Sequence, residues 1–301
     1  MTAPILYDNP GPKARRRILI GSIVGMGLIL GLIAYVLVKL AGNGQLEGQR
    51  WAVLFDPRSS VPQFLADGLV ATLQVAALGM VLATILGALL AFGRLSDHRW
   101  VRIPVTAFIE FFRAVPLLVV IFAAFLLPPS FGVPISAYAA LVVGLTLYNG
   151  AVIAEIVRAG ILSIDRGQSE AAYGIGMRKW QVMTSILLPQ AIRRMLPVLI
   201  AQLVVLLKDS SLGFIIGYFE LLRSARSLVE FFRVDFGDQY SFQIYVAAAL
   251  IYILVNVILS IFARWLDKRL ARSKKSPEGE GEALPLTVEQ FSVGGGANTT
   301  L

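Results

Sequence analysis

Six long apolar stretches divide the chain, at about 18–40, 65–92, 103–127, 135–157, 195–219 and 240–263. At roughly 1.5 Å of rise per residue each is long enough, as a helix, to cross a bilayer. The polar positions gather between them, above all in the segment from Glu155 to Pro197. There charged and amide side chains recur too often for a span, although the residues favour helix. The pattern predicts an all-α polytopic membrane protein of about six transmembrane helices, with one helical loop between the fourth and fifth.

That loop has internal punctuation. Asp165 stands as an N-cap for a short helix, and Gln168 at its third position makes half of a capping box. Ala171 and Ala172 keep the helix slim, and Gly174 and Gly176 permit a tight turn or a left-handed backbone. A second helix, Arg178 to Leu187, is expected to end at Pro189, which cannot continue the hydrogen-bond ladder. Periodicity alone leaves open an amphipathic hairpin lying on the membrane, with Lys and Arg reaching to headgroups.

Composition sharpens the class. The 301 residues are 56% hydrophobic and 15% charged, with no cysteine and a single histidine, His98. Disulfides, thiolate catalysis and a histidine metal cluster are excluded. A membrane-embedded enzyme would need clustered acids, bases or ligands that scattered carboxylates do not supply. The net charge of +8 is a matter of topology. Placing Lys13–Arg17 inside the cell leaves nineteen Lys and Arg in inside segments and six in outside ones. Positive charge marks the cytoplasmic face, so both termini and the central loop are expected there, and nucleic acid is not an expected partner. Lys13–Arg17 before Ile18–Leu40 also fits a signal peptide, but the apolar run is about twice the usual length, which favours an uncleaved helix.

Charges within the spans are candidate path or gate residues, because an ionised group costs about 2.5–3.5 kcal/mol on insertion scales. Lys208 and Asp209 fall near the middle of the fifth span and point about 100° apart, so each needs a partner elsewhere. Glu110 and Arg113 share a face and neutralise each other or line a gate, with Pro116 kinking the same helix. Glu155 and Arg158 repeat that spacing, as an inner gate or an anchor for the loop. Gln202 faces away from Lys208 by about two-thirds of a turn. The charged stretch from Glu220 to Gln239 reads either as a docking surface outside the cell or as a helix on the outer membrane surface.

Glu170-Ala171-Ala172, Gly176, Ile186, Leu188 and Pro189 reproduce the spacing E-A-A-x3-G-x9-I-x-L-P. This resembles the EAA loop of bacterial ABC importer permeases. Further segments are similar to that family: FFRAVPLL at 111–118, YNGAVIAEIVRAGILSIDRGQ at 148–168, LPQAIR at 188–193 and LKDSSL at 207–212. Ala114-Val115 replaces Gly-Thr, Asn149-Gly150 follows the tyrosine, and Ala159 stands at the first of two paired glycines. The resemblance covers about 65–265 and indicates the polar amino acid uptake branch. The opening LYDNPGPKARRR and the extra first span look most like actinobacterial glutamate permeases.

The resemblance implies a type I importer moving glutamate, aspartate, glutamine or asparagine. It implies a homodimeric cytoplasmic ABC ATPase that holds ATP and Mg, with no cofactor on this chain. It also implies a second, distinct permease chain as heterodimer partner, an extracytoplasmic solute-binding protein and a surrounding lipid bilayer. The ATPase-coupling residues become Gly167, Glu170, Ala171, Ala172, Gly174, Gly176, Ile186, Leu188 and Pro189. The sequence lacks the phosphate-cradling GxxxxGK[ST] motif, so hydrolysis falls to a partner. An ion-coupled secondary transporter is the competing class, and it predicts inverted repeats and midplane broken helices. The expected organisation is a cytoplasmic tail at 1–17, an extra helix and extracytoplasmic loop at 18–64, and the permease domain at 65–265 with its loop at about 159–194. A disordered cytoplasmic tail at 266–301 completes it.

Overall fold

The computed structural model describes residues 11–271, and the expected tails before and beyond them lie outside the described residues. Within them the chain is helical, with no strand. Helix α1 (Pro12–Gly42) is followed by the short α2 (Gly48–Ala52), then α3 (Val61–Arg94), α4 (Arg99–Ala114), α5 (Leu117–Ser130) and α6 (Ala137–Leu162). The loop helices are α7 (Arg166–Gly174) and α8 (Lys179–Gln181), and the chain ends in α9 (Leu188–Asp209), α10 (Leu221–Phe236) and α11 (Ser241–Ala271). Five helices are long and apolar enough to cross a membrane, and the pair α4–α5 makes a sixth crossing if it is one span.

Helix α6 is the hub, packed by α3, α4, α5 and α9. It packs most extensively against α3, where Gly87 has no side chain: a Cβ there would lie 2.6 Å from Ile153 Cγ2 and 3.0 Å from the Gly150 carbonyl. Ile109, Ile121, Leu141, Leu145, Ile153 and Leu206 fill this core, each essentially inaccessible. Helix α1 is the opposite case, since none of its residues is buried.

Two expectations change and a third is refined. The third span is broken rather than kinked: α4 and α5 meet at 105°. Pro116 offers no amide, and Val115 before it is pushed to extended backbone (φ −85°, ψ 132°), which a helix cannot include. The second loop helix does not end at Pro189. It runs on through a π-turn at Val182–Leu187 into α9, making a 38-residue helical stretch to Ile216. Prolines sit comfortably in the first turn of a helix, and a wide turn just before Pro189 removes the need for its missing amide. Finally, the charged stretch from Glu220 to Gln239 forms α10, a helix with one face built into the bundle. Leu221, Ala225 and Leu228 are buried with Val61, Leu65 and Ile244, wedging α10 between α3 and α11.

A buried carboxylate starts α10. Glu220 is fully buried and accepts from the amides of Leu222 (2.9 Å) and Arg223 (2.7 Å) and from the Tyr252 hydroxyl (2.5 Å). Burial pushes its carboxyl above the usual glutamate range, against the pull of those three donors. Replacing Glu220 with Ala leaves all three unpaired and is expected to destabilise the chain by about 2–4 kcal/mol. Thermal unfolding in detergent reads this directly, and an unchanged midpoint would contradict the account.

Candidate functional site

The central loop is fixed by its own backbone. The Asp165 carboxylate accepts from the Gly167 amide at 2.7 Å and caps α7. At the other end the Gly176 amide bonds the Tyr173 carbonyl (2.9 Å) and the Met177 amide bonds the Ala172 carbonyl (3.1 Å), with Gly176 at φ +83°. These two bonds and the left-handed residue form a Schellman closure, which turns the chain sharply out of α7. Gly174 is the last residue of α7 and keeps helical backbone, so the turn depends on Gly176 alone. Gln168 is not part of a capping box. Its Oε1 accepts from Gln190 Nε2 at 3.4 Å, while the Arg178 amide bonds Gln181 Oε1 at 2.8 Å and supplies half of a box for α8.

The loop is pinned to the rest of the bundle. Lys179 pairs with Asp97 in the α3–α4 connection, and that charge and hydrogen bond hold the Asp97 carboxyl below the usual aspartate range. Arg194 donates to the Ser163 carbonyl at 2.6 Å. Ala172 is buried, and Leu187 and Leu188 pack against the main core, whereas Glu170 and Pro189 are exposed and Ile186 is half-buried. What remains outward is an apolar crest: Ile175 is 80% exposed and Trp180 63%, with Tyr173 beside them.

Beneath the loop the two expected ion pairs are one assembly, joined by a residue that the sequence reading did not single out. Arg94, at the end of α3, donates through Nη1 to Glu155 (2.7 Å) and through Nη2 to Glu110 (2.8 Å). Glu155 also takes Arg158 at 2.6 Å, whereas Glu110 and Arg113 are held only at 3.4 Å. The Glu110–Arg113 pair is therefore the weak member, and Arg94 is the bridge. Three helices, α3, α4 and α6, meet in this chain of five charges.

Lys208 and Asp209 sit in the last turn of α9, where the helix tightens into a 3-10 turn at Ser210–Ile216. Among the described residues neither makes an ion pair with a third group. Lys208 is exposed and lines a groove of about 720 Å³ between α9 and α11, together with Ser211, Tyr245, Tyr252, Asn256 and Arg264. In that groove Asn256 donates to the Tyr252 carbonyl at 2.7 Å, and its Oδ1 is buried without a donor. Gln202 turns away from it, donating to Asn149 Oδ1 at 2.8 Å and so bracing α9 against α6. The groove thus presents the Lys208 ammonium and the Arg264 guanidinium, two cations suited to a carboxylate.

Residues 83–272 match the family described as binding-protein-dependent transport system inner membrane component. The chain is 40% identical over 258 residues to the glutamate transport system permease protein GluD of Corynebacterium glutamicum, covering 85% of this chain and 90% of that one. It is 33% identical over 227 residues to the glutamate/aspartate import permease protein GltK of Escherichia coli, covering 72% and 99%. Among solved structures, a chain from the crystal structure of an amino acid ABC transporter with histidines superposes with a TM-score of 0.63 at 30% identity, covering 69% of this chain and 94% of that chain. A chain of the inward-facing MetNI methionine ABC transporter gives 0.56 at 20% identity, covering 69% and 96%, a likeness of fold alone.

Proposed function

The chain belongs to the family of binding-protein-dependent transport system inner membrane components and is an amino-acid ABC importer permease, and from that premise we propose that it carries glutamate or a close relative under the drive of a separate ATPase. The loop of α7 and α8 is the coupling element. The observation that carries this reading is the exposed crest of Tyr173, Ile175 and Trp180 on a loop whose backbone and anchors are otherwise fixed. So much apolar surface held rigidly outward calls for a protein partner. ATP and Mg belong to that partner, a homodimer. A second permease chain, distinct in sequence, completes the path, and an extracytoplasmic binding protein supplies the amino acid. The excess of Lys and Arg on one side supports a cytoplasmic position for both termini and the loop.

The substrate's route passes the groove at Lys208, where an ammonium meets a carboxylate. Purifying the tagged full-length chain in mild detergent is expected to bring down an ATPase and a second permease. Recovery of the chain alone, with ion-driven uptake that needs no ATP, would overturn the reading. Replacing Lys208 with Met is expected to lower uptake by about tenfold or more, since a charge-assisted bond contributes about 1.5–3 kcal/mol. ATPase recovery should be unchanged, and wild-type uptake kinetics would remove Lys208 from the path.

A further inference from the structure

Helix α4 has three faces where a buried helix would have one. At about 100° per residue, Val105, Ile109 and Phe112 share the face that packs on α3 and α6. Arg99, Arg102 and Arg113 fall together on a second, polar face with Glu110. Trp100, Ile103 and Phe111 make a third face that is apolar and open, with Trp100 92% exposed. The 105° turn into α5 directs α4 away from the line of α5. A strongly two-sided helix with arginines beside an exposed tryptophan is the form that lies in a membrane–water interface.

The first turn adds a shaped feature. Arg99, Trp100, Ile103 and Pro104 enclose a recess of about 500 Å³. Arg113 is bound to Glu110, but neither Arg99 nor Arg102 makes an ion pair among the described residues. The acid near them, Asp97, is paired with Lys179, although Arg102 still lies within its field. One uncommitted guanidinium, Arg99, thus lines the recess, and a second, Arg102, stands about 60° around the helix from it on the polar side. The chemistry that satisfies both at once is an anionic headgroup with its acyl chain attached.

We propose that the first turn of α4, through Arg99, Trp100, Arg102 and Ile103, is a docking surface for an anionic phospholipid of the cytoplasmic leaflet. It rests on the cytoplasmic placement of this end of the bundle, the membrane topology given under the proposed function. The acyl chain lies against Trp100 and Ile103, and the phosphate lies between the two arginines. Because Glu110 on the same helix is held by Arg94, an occupied surface steadies the ion chain that joins α4 to α3 and α6.

The test uses the purified full-length chain in detergent, titrated with brominated phosphatidylglycerol or brominated phosphatidylcholine of the same acyl chains, reading tryptophan quenching. Wild type is expected to quench at roughly thirtyfold less phosphatidylglycerol than phosphatidylcholine, about fivefold for each arginine. The preference should shrink with added salt. Replacing both Arg99 and Arg102 with Gln should bring the two lipids together, and Trp100→Phe should remove the lipid-selective part of the quenching. Both arginines are exposed and unpaired, so the double variant is expected to fold. Equal quenching by both lipids in wild type, or a preference that survives the double replacement, would overturn the proposal. Displacement of the lipid by inorganic phosphate at matched concentration would overturn it too, marking a site for free anions. No ATPase or uptake enters this measurement, so it fails or succeeds apart from the transport reading.

Discussion

Arg94→Glu is expected to abolish uptake and lower the thermal stability of the chain, more than the loss of any other single charge at this end of the bundle. The side chain of Arg94 is only 15% exposed, and its two terminal nitrogens serve carboxylates on two different helices. Removing one partner of a buried pair costs about 3–5 kcal/mol, and Glu110 is half exposed, so water recovers part of that. About 2–3 kcal/mol remains for Arg94→Met, which leaves Glu155 with Arg158 and Glu110 with its distant Arg113. The reversal to glutamate adds repulsion among three carboxylates and should be worse. Arg94→Lys keeps the charge but has no fork with which to hold both partners, and should fall between Met and wild type. Uptake at matched membrane levels, with the unfolding midpoint of the purified chain, ranks the three variants. Wild-type uptake and midpoint in Arg94→Glu would show that the ion chain joins nothing of consequence.

The second large effect is expected at Gly176. A Cβ added there meets nothing within 4 Å, so a larger residue is not excluded by space. It is opposed by backbone: φ +83° costs an L-residue about 1–2 kcal/mol, and a β-branched side chain more. Gly176→Val should therefore open the Schellman closure, change the angle between α7 and α8, and reduce ATP-driven uptake by about tenfold. Gly174 supplies the control, because it has helical backbone and equally open surroundings. Gly174→Ala should leave uptake unchanged and add a few tenths of a kcal/mol to stability, up to about 1. Two glycines two residues apart, with opposite responses, separate a requirement for backbone shape from one for small size. Equal uptake in Gly176→Val and wild type would remove the turn from the coupling mechanism.

How far these features can be read from the chain depends on whether their cause is local. The spans follow from runs of apolar residues, and the caps and turns of the loop follow from Asp165 and Gly176, each acting on backbone within a few positions. The break at Val115–Pro116 is masked because hydropathy continues on both sides of it, even though the proline is in plain view. The π-turn at Val182–Leu187 leaves no mark in periodicity, since one added residue per turn cannot be told from a drift of the apolar face. Arg94 is the clearest miss. Its partners lie 16 and 61 positions away, and only the packing of three helices brings them together. Glu220 is hidden among charges that do face outward, because its side-chain partner Tyr252 lies 32 positions away on another helix.

The uninterrupted path from Lys179 to Asp209 has a mechanical meaning. At about 1.5 Å per residue, Lys208 stands roughly 44 Å along the helix from Lys179, with no hinge of loop between them. A helix without a loop carries torsion as well as thrust, so under the proposed coupling a twist applied at Trp180 would reach the groove as a change in the bearing of the Lys208 side chain. The six residues of the wide turn, and Pro197 inside α9 with its missing amide, are where this shaft departs from a regular α-helix and a rotation can be absorbed. Under the proposed function the loop and the path are two ends of one torsion rod, and its stiffness would set how much of a partner's stroke is delivered to the cargo.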